Sequence, residues 1–305
     1  MSRLAVVVVN HNTRAQLRDC LASLAAETEV VVVDNDSGDD SVRMVREDFP
    51  HAGIVANRFN PGYGGGANQG VRRCAAEYVL ILNSDTVVEP GALGSLRRHL
   101  DDNPRVGLAG PRLRNRDGTL QPSCFPVPGT IRWLVENDPM GRLVAWLPPA
   151  RRRSYRFNPP GEARPVPWVL GAALAVRRSA FEDVGGFDES FFMYYEEVDL
   201  CMRLRLAGWD VHHVPTAEIV HLGAASTSQV RAEMAVEHFR STLRFYRRYY
   251  RGVHLRAWVG IMRTKMRLRF LRDAMALTLV REPARQVRLR QNLSIWQRAL
   301  RLKGF

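Results

Sequence analysis

The sequence predicts an α/β fold, a mostly parallel sheet flanked by helices, from three observations. Residues 4–9 and 30–33 are β-branched apolar runs with few polar interruptions, as strands buried on both faces are. Between them, residues 13–26 carry Leu17, Leu21 and Leu24 at helical spacing, which makes a strand–helix–strand unit. Polar clusters then follow the strands directly: Asn10-His11-Asn12, Asp34-Asn35-Asp36 and Asn83-Ser84-Asp85. Ligands of open α/β sheets bind beyond the carboxyl ends of the strands, so three such clusters point to one crevice.

The remaining elements continue the alternation. Residues 41–49 read as a second helix, 51–56 as a third strand, 67–76 as a helix and 78–82 as a fourth strand. Residues 111–167 are rich in Pro, Arg and Gly, and an irregular acceptor-side insertion or a mobile loop is expected there. Regular pattern resumes at 166–176, with a short helix at 178–184 and a helix at 197–207 stopped by Gly208. Residues 217–220 look strand-like, and 240–250 and 255–278 look helical and basic.

Composition narrows the function classes. The 305 residues are 46% hydrophobic, enough for one enlarged domain or two smaller ones. The run at 4–9 is cut by Asn10, too early for a signal-peptide core or a membrane helix, so a cytoplasmic location is expected. Cys20, Cys74, Cys124 and Cys201 form no CxxC pair, which favours reduced thiols over a zinc site or a disulfide framework. The net charge of +13 is uneven: residues 240–305 hold 18 Lys and Arg against Asp273 and Glu282, a balance of +16, and residues 1–239 balance at −3. An anionic partner for the C-terminal segment is expected.

Four stretches carry candidate chemistry. Asp34 at a strand end can accept bonds from a ribose or a base, although Asp, Asn and Ser in such a cluster also cap helices. The stretch from Asn60 through Gly65 to Asn68 and Gly70 allows close backbone approach to a ligand and leads into a helix N-terminus, a phosphate-binding arrangement. Gly62, Gly64 and Ala67 also fit a loose dinucleotide fingerprint, but that fingerprint belongs after the first strand and here follows an earlier unit. Asp85, delivered by an apolar strand, suits a hard divalent cation against a diphosphate, or a solvated turn. Glu196-Glu197-Val198-Asp199 follows Phe191, Phe192, Tyr194 and Tyr195. Aromatic burial and close like charges raise carboxyl pKa values, which suits a general base, and acids at a helix start also satisfy the macrodipole. His221 gains weight as a ligand only through the cation suspected at Asp85.

The order of these motifs resembles the family 2 glycosyltransferases, inverting enzymes with a Rossmann-like GT-A fold, over about residues 4–225. The matching pieces are Val-Val-Asn-His-Asn ending at Asn12, Asp-Asn-Asp-Ser-Gly-Asp starting at Asp34, the Asn60–Asn68 glycine stretch, Leu-Asn-Ser-Asp ending at Asp85, Gly-Gly-Phe-Asp-Glu ending at Glu189, Tyr-Glu-Glu-Val-Asp-Leu from Tyr195, and His221. Within the family the motifs look most like the rhamnosyltransferase branch. The resemblance implies a GT-A domain over 1–239, with a nucleotide-sugar half at about 1–110 and an acceptor half at about 111–239, followed by a basic helical extension at 240–305.

It also implies roles. Asp34, Asn10 and Asn35 would hold the nucleoside, Asn60, Gly65 and Asn68 would line the nucleotide pocket, and Trp168 and Gly171 would face the acceptor. Asp85 would bind Mg²⁺ or Mn²⁺ at the diphosphate, with His221 completing the metal site. Glu197 stands where the family has the Asp that serves as base, and Glu196 or Asp199 could share or take that role. The first acid of the metal motif is replaced by Asn83. The implied partners are a UDP- or dTDP-linked sugar donor and a glycan or polyprenyl-linked acceptor in cell-envelope polysaccharide assembly.

An anionic membrane surface is the expected partner of residues 240–305, which places the protein on the inner face of the cell membrane, and a solvated basic face is the alternative. Two rival classes use parts of the same sequence. An NAD(P)-dependent oxidoreductase would use the glycine stretch, and a non-catalytic nucleic-acid-binding protein would use the basic segment but leave the acids without a purpose.

Overall fold

A computed structural model describes residues 3–24, 28–129, 161–223 and 231–302. The chain divides into two compact units, the first formed by residues 1–190 with 196–226 and the second by 191–195 with 227–305.

In the first unit, β1 (Leu4–Asn10), β2 (Val30–Asp34), β3 (Gly53–Ala56) and β4 (Tyr78–Asn83) pair in parallel, with β1 between β2 and β4. The sheet continues as β3-β2-β1-β4-β11-β6-β12-β5, with β5 (Thr86–Val88), β6 (Val106–Arg114), β11 (Ala173–Arg177) and β12 (Asp210–His221). Strand β11 runs antiparallel to both β4 and β6, β12 runs parallel to β6, and β5 closes the edge antiparallel to β12. The result is the expected mostly parallel sheet. Two short strands extend it, β7 (Leu120–Gln121) beside β6 and β9 (Arg164–Pro165) beside β12, while β8 (Cys124–Phe125) pairs with β10 (Trp168–Val169) separately.

Alternation along β1 explains its unbroken apolarity. Val6 and Val8 face a core shared with Leu17 and Leu21 of α1 (Arg14–Ala22), with Met44 of α2 (Ser41–Asp48), and with Leu96 and Leu100 of α4 (Ala92–Asp102). Full burial of each such side chain contributes about 1.5–3 kcal/mol. Val7 and Val9 face α3 (Gly62–Arg73), where a Cβ on Gly70 would stand 2.3 Å from Val7 Cγ1 and one on Gly66 would stand 3.2 Å from Val9 Cγ1. The glycines are therefore inside the helix rather than in a loop before it. Each costs roughly 1 kcal/mol of helix propensity, offset by the close seat of the helix on the sheet. Helix α3 accordingly starts at Gly62, not near 67 as the sequence pattern suggests.

Other differences have similar local causes. The irregular stretch expected from residue 111 begins later, because β6 continues through Pro111, which is paired with Val214. A register shift follows at Val214/Glu218, as suits a proline that cannot donate to a ladder. Residues 130–160 of that stretch lie outside the described residues. Strand β12 is much longer than the expected 217–220. The short helix α5 (Arg178–Asp183) and α6 (Glu196–Leu206) fall where expected, and Gly208 follows α6 with φ +91°. The four cysteines are buried and no disulfide joins them.

The second unit contains α7 (Arg231–Tyr249), α8 (Gly252–Leu279) and α9 (Pro283–Leu300). Tyr246 stacks on Trp258 with ring centroids 3.8 Å apart, and the buried Asp273 carboxylate accepts a bond from Trp296 Nε1 at 3.0 Å. Residues 191–195 belong here: Ser241 Oγ donates to Met193 O at 2.8 Å, and the Tyr195 ring packs on Phe245. Helix α7 begins well before residue 240, and α9 adds a third helix with Pro283 in its first turn. Among the described residues no helix is long and apolar enough to cross a membrane.

Candidate active site

Strand register assembles the site. Pairing of β1 with β2 places Asn10 beside Asp34, and pairing of β1 with β4 places Asn83 beside Val9. The three polar clusters thus share the carboxyl-end edge of adjacent strands. Asn10 Nδ2 donates to Asp34 Oδ2 at 2.7 Å and to Ser37 Oγ at 3.2 Å, while Ser37 N donates to Asp34 Oδ1 at 2.9 Å. Thr13 Oγ1 donates to Asn10 Oδ1 at 2.7 Å and lies 2.6 Å from Ser84 Oγ, tying the first cluster to the third. Asn35 Nδ2 donates to Gly62 O at 3.0 Å, and Asn60 Oδ1 accepts from Gly62 N at 2.9 Å, so both fix the start of α3.

Asn68 and Gly65 stand differently. The Asn68 amide is saturated by a turn in the same unit: Oδ1 accepts from Phe187 N at 2.9 Å, and Nδ2 donates to Phe187 O at 3.0 Å and to Glu189 Oε1 at 2.9 Å. A Cβ on Gly65 would meet Pro61 Cβ at 3.0 Å, so that glycine fits its own helix start.

Asp85 follows β4 and His221 ends β12, which is brought alongside by the pairing of His221 with Thr86. Both side chains are buried, and His221 Nε2 stands 3.4 Å from Asp85 Oδ1. His221 Nδ1 donates to Gln121 Oε1 at 2.8 Å. The Gln121 amide is oriented in turn, since its Nε2 donates to Asn115 Oδ1 at 3.1 Å. In the neutral imidazole this leaves Nε2 unprotonated, the tautomer a metal-ligating His needs, with Asn83 Nδ2 3.5 Å away as its other neighbour. Among the described residues no group of three or more His, Cys, Asp and Glu could hold a metal ion. Asp85 and His221 are the residues that would hold a divalent cation, the carboxylate supplying a hard oxygen ligand and the imidazole a nitrogen that suits Mn²⁺ better than Mg²⁺.

The acid cluster opens α6. Glu196, Glu197 and Asp199 are buried in its first turn, with Arg203 and Arg205 in the last, as the macrodipole favours. Tyr194 and Tyr195 precede it with φ of +68° and +69°, a left-handed pair that bulky residues adopt rarely. Asp199 Oδ2 accepts from Arg203 Nε at 2.7 Å, and Arg203 Nη1 donates to Val184 O at 2.7 Å. Asp199 thereby pins the helix to the preceding turn.

Gly171 links the acid cluster to the strand-end edge. A Cβ there would lie 3.4 Å from Cβ and Cγ of Glu197, and the next residue's carbonyl, Ala172 O, accepts from Asn83 N at 3.0 Å. Tyr63, within the glycine-rich helix, donates its hydroxyl to Gly171 O at 2.7 Å. Burial first, then the charges of Glu196, Glu197 and Asp85, hold that hydroxyl well above the ordinary tyrosine range. Tyr63 therefore lies in the field of both the acid cluster and Asp85, and its protonated hydroxyl serves as a fixed donor. Trp168 is an anchor for this loop: its Nε1 donates to Pro126 O at 2.8 Å and its ring stacks on Phe125 at 4.5 Å. Sequence reasoning missed Thr13, Tyr63 and Gln121. The one aromatic inside the glycine run was a usable signal for Tyr63, whereas Gln121 carries no pattern.

A polar strand-end site of this kind on a mostly parallel sheet is where open α/β folds bind their ligands. The sequence model of Glycosyl transferase family 2 matches residues 5–185, and that of Glycosyl transferase family group 2 matches residues 160–298. The chain is 34% identical over 259 residues to an N-acetylglucosaminyl-diphospho-decaprenol L-rhamnosyltransferase of Mycobacterium tuberculosis, covering 79% of this chain and 83% of that protein. It is 25% identical to Rhamnosyltransferase WbbL of Escherichia coli, covering 80% of this chain and 92% of the other. In fold it is similar to the mannosyltransferase PcManGT of Pyrobaculum calidifontis, solved with GDP-Man and Mn²⁺, at TM-score 0.55 and 18% identity over 99% of this chain and 88% of that one. The chain belongs to glycosyltransferase family 2, and it is a glycosyltransferase.

Proposed function

We propose that the chain moves a sugar, rhamnose in the leading case, from a dTDP- or UDP-linked donor to a hydroxyl of a lipid-linked glycan in cell-envelope polysaccharide assembly, with inversion at the anomeric carbon. The observation that carries this reading is the junction at Gly171, which sets Glu197 beside the strand-end edge that holds Asp85. The rhamnosyl and lipid-linked parts draw support from the names of the relatives.

In this reading Asp34, Asn10 and Asn35 form the nucleoside end of the site, where bonds from Asn10 Nδ2 and Ser37 N fix the Asp34 carboxylate in place. Asp85 and His221 would hold Mg²⁺ or Mn²⁺, whose charge would offset that of the nucleoside diphosphate. Glu197 accepts the proton of the acceptor hydroxyl as that oxygen bonds to the anomeric carbon, while the bond from that carbon to the diphosphate oxygen breaks and its electrons leave with the nucleoside diphosphate. Tyr63 holds the Gly171 carbonyl, and thus the floor under Glu197, in place. Asn68 positions the turn ahead of α6, and Asp199 anchors that helix through Arg203. Glu197 is the base in preference to Asp199 because the latter is committed to that ion pair.

The test is a donor screen that measures released nucleoside diphosphate for dTDP-rhamnose, UDP-sugars and GDP-mannose with Mn²⁺ present. Acceptor-dependent release from dTDP-rhamnose or a UDP-sugar supports the reading. Release confined to GDP-mannose, or a melting shift with NAD and none with dTDP or UDP, overturns it.

A further inference from the structure

Helix α8 is apolar on two opposite sides. Inward, Trp258 and Met266 are buried, and the helix packs beside α9. Outward, Val253, Ile261, Leu268, Leu271, Met275 and Leu279 are 67, 50, 61, 55, 62 and 81% exposed. At about 100° per residue these six fall within an arc of roughly 80° along a helix about 42 Å long. The positions between them on that arc, Ala257 and Thr264, and those at its edge, Gly260 and Thr278, are small or hydroxylated. A helix that only faced water would be polar on this side.

The charges lie on the borders of the stripe. Lys265 and Arg272 flank it on one side and Arg256 and Arg267 on the other, Arg269 lies further round over the Trp296 ring, and the single acid of the helix, Asp273, is buried and bonded to Trp296. An outward apolar stripe between basic margins is the form of a helix lying in the plane of a bilayer surface. Six basic residues in α8, at 256, 263, 265, 267, 269 and 272, rule against its crossing the bilayer.

We propose that the outward face of α8 docks on an anionic phospholipid surface, with the stripe in the acyl boundary and the flanking Lys and Arg at the headgroups. The proposal deepens the reading of a lipid-linked acceptor by naming the surface that meets the membrane. Charge selects the occupant. A second copy would set one +16 segment against another, whereas an anionic bilayer complements it. A nucleic acid would gain nothing from six exposed aliphatic side chains.

The experiment is flotation of the full chain with vesicles of phosphatidylcholine, alone or with about a third phosphatidylglycerol. The wild type is expected to float with the anionic vesicles and much less with the neutral ones. The triple variant Ile261→Ser, Leu268→Ser, Met275→Ser is expected to lose at least about tenfold in partitioning while keeping its helical signal and melting temperature, because all three positions are exposed. The pair Arg256→Gln, Arg267→Gln keeps the stripe and is expected to lose selectivity for anionic vesicles. Flotation of the triple variant like wild type, or none by wild type, overturns the proposal. So does a wild-type dimer, seen by light scattering, that the triple variant dissociates. Nucleoside diphosphate release, assayed without vesicles, reports on the glycosyltransferase reading separately, so a failure of one leaves the other standing.

Discussion

His221 Nε2 stands 3.4 Å from Asp85 Oδ1, and the other ring nitrogen is held by Gln121 at 2.8 Å. Gln121 thus sets which nitrogen can face a cation. Gln121→Leu is expected to weaken Mn²⁺ binding about 10–100-fold, the usual cost of losing such an outer partner, and His221→Ala to weaken it further. Electron paramagnetic resonance titration of Mn²⁺ with nucleoside diphosphate present measures both. Unchanged affinity in both variants would remove His221 from the metal site.

Gly171 and Glu197 predict a graded series. A single added methyl meets Glu197 at 3.4 Å, an ordinary contact, so Gly171→Ala should fold and retain most activity. Gly171→Val adds branches on a side where Glu197 already sits and should lower kcat by more than tenfold, with about 1–3 kcal/mol lost from stability. Equal kcat for the two variants would mean that Glu197 can move aside without consequence.

Tyr63→Phe removes the bond to Gly171 O without changing ring packing against Phe187. About 1 kcal/mol of stability should go with it, and kcat should fall while donor affinity stays. Because the hydroxyl is held well above the usual range, the wild-type pH–rate profile should show no tyrosine limb below pH 10. Such a limb that vanishes in the Phe variant would contradict the fixed-donor role.

His213, buried on β12 with Nε2 3.2 Å from Ser123 Oγ, is pushed down to about 4 by burial and by Arg112 and Arg164. The unfolded chain binds this proton below about pH 6.5 and the folded chain only below about 4. The stability linked to neutral His213 is therefore fully present above pH 6.5 and is lost as pH falls toward 4, by up to about 3 kcal/mol. Urea melts between pH 7 and pH 4 should show a shallower decline in His213→Gln. Parallel declines in the two proteins would refute the linkage.

Much of this site was legible in the sequence because strand ends are legible. The apolar runs ending at Asn10, Asp34 and Asn83 declare both the strands and the residues delivered at their ends, and parallel pairing places those ends together. Intrinsic propensity argues against helix in the glycine stretch, whereas the close approach of Gly66 and Gly70 to β1 seats a helix there. Asn68 reads as a pocket residue by position, yet its amide is consumed at Phe187 and Glu189, over a hundred residues away. Gln121 and Gly171 depend on strand pairings between distant segments, which leave no local pattern. The outward stripe on α8 was masked in the sequence because apolar residues occupy both faces of that helix.

The proposed role of Glu197 in activating the acceptor hydroxyl is tested most directly by Glu197→Gln. Gln keeps the size of the side chain but accepts no proton. With the best donor from the screen, transfer should fall by roughly 10²–10⁴, while donor affinity, measured calorimetrically with Mn²⁺, stays within about twofold because Glu197 lies on the Gly171 side of the site rather than in the Asn10–Asp34 cluster. Full turnover by Glu197→Gln with donor affinity intact would remove Glu197 from the role of base.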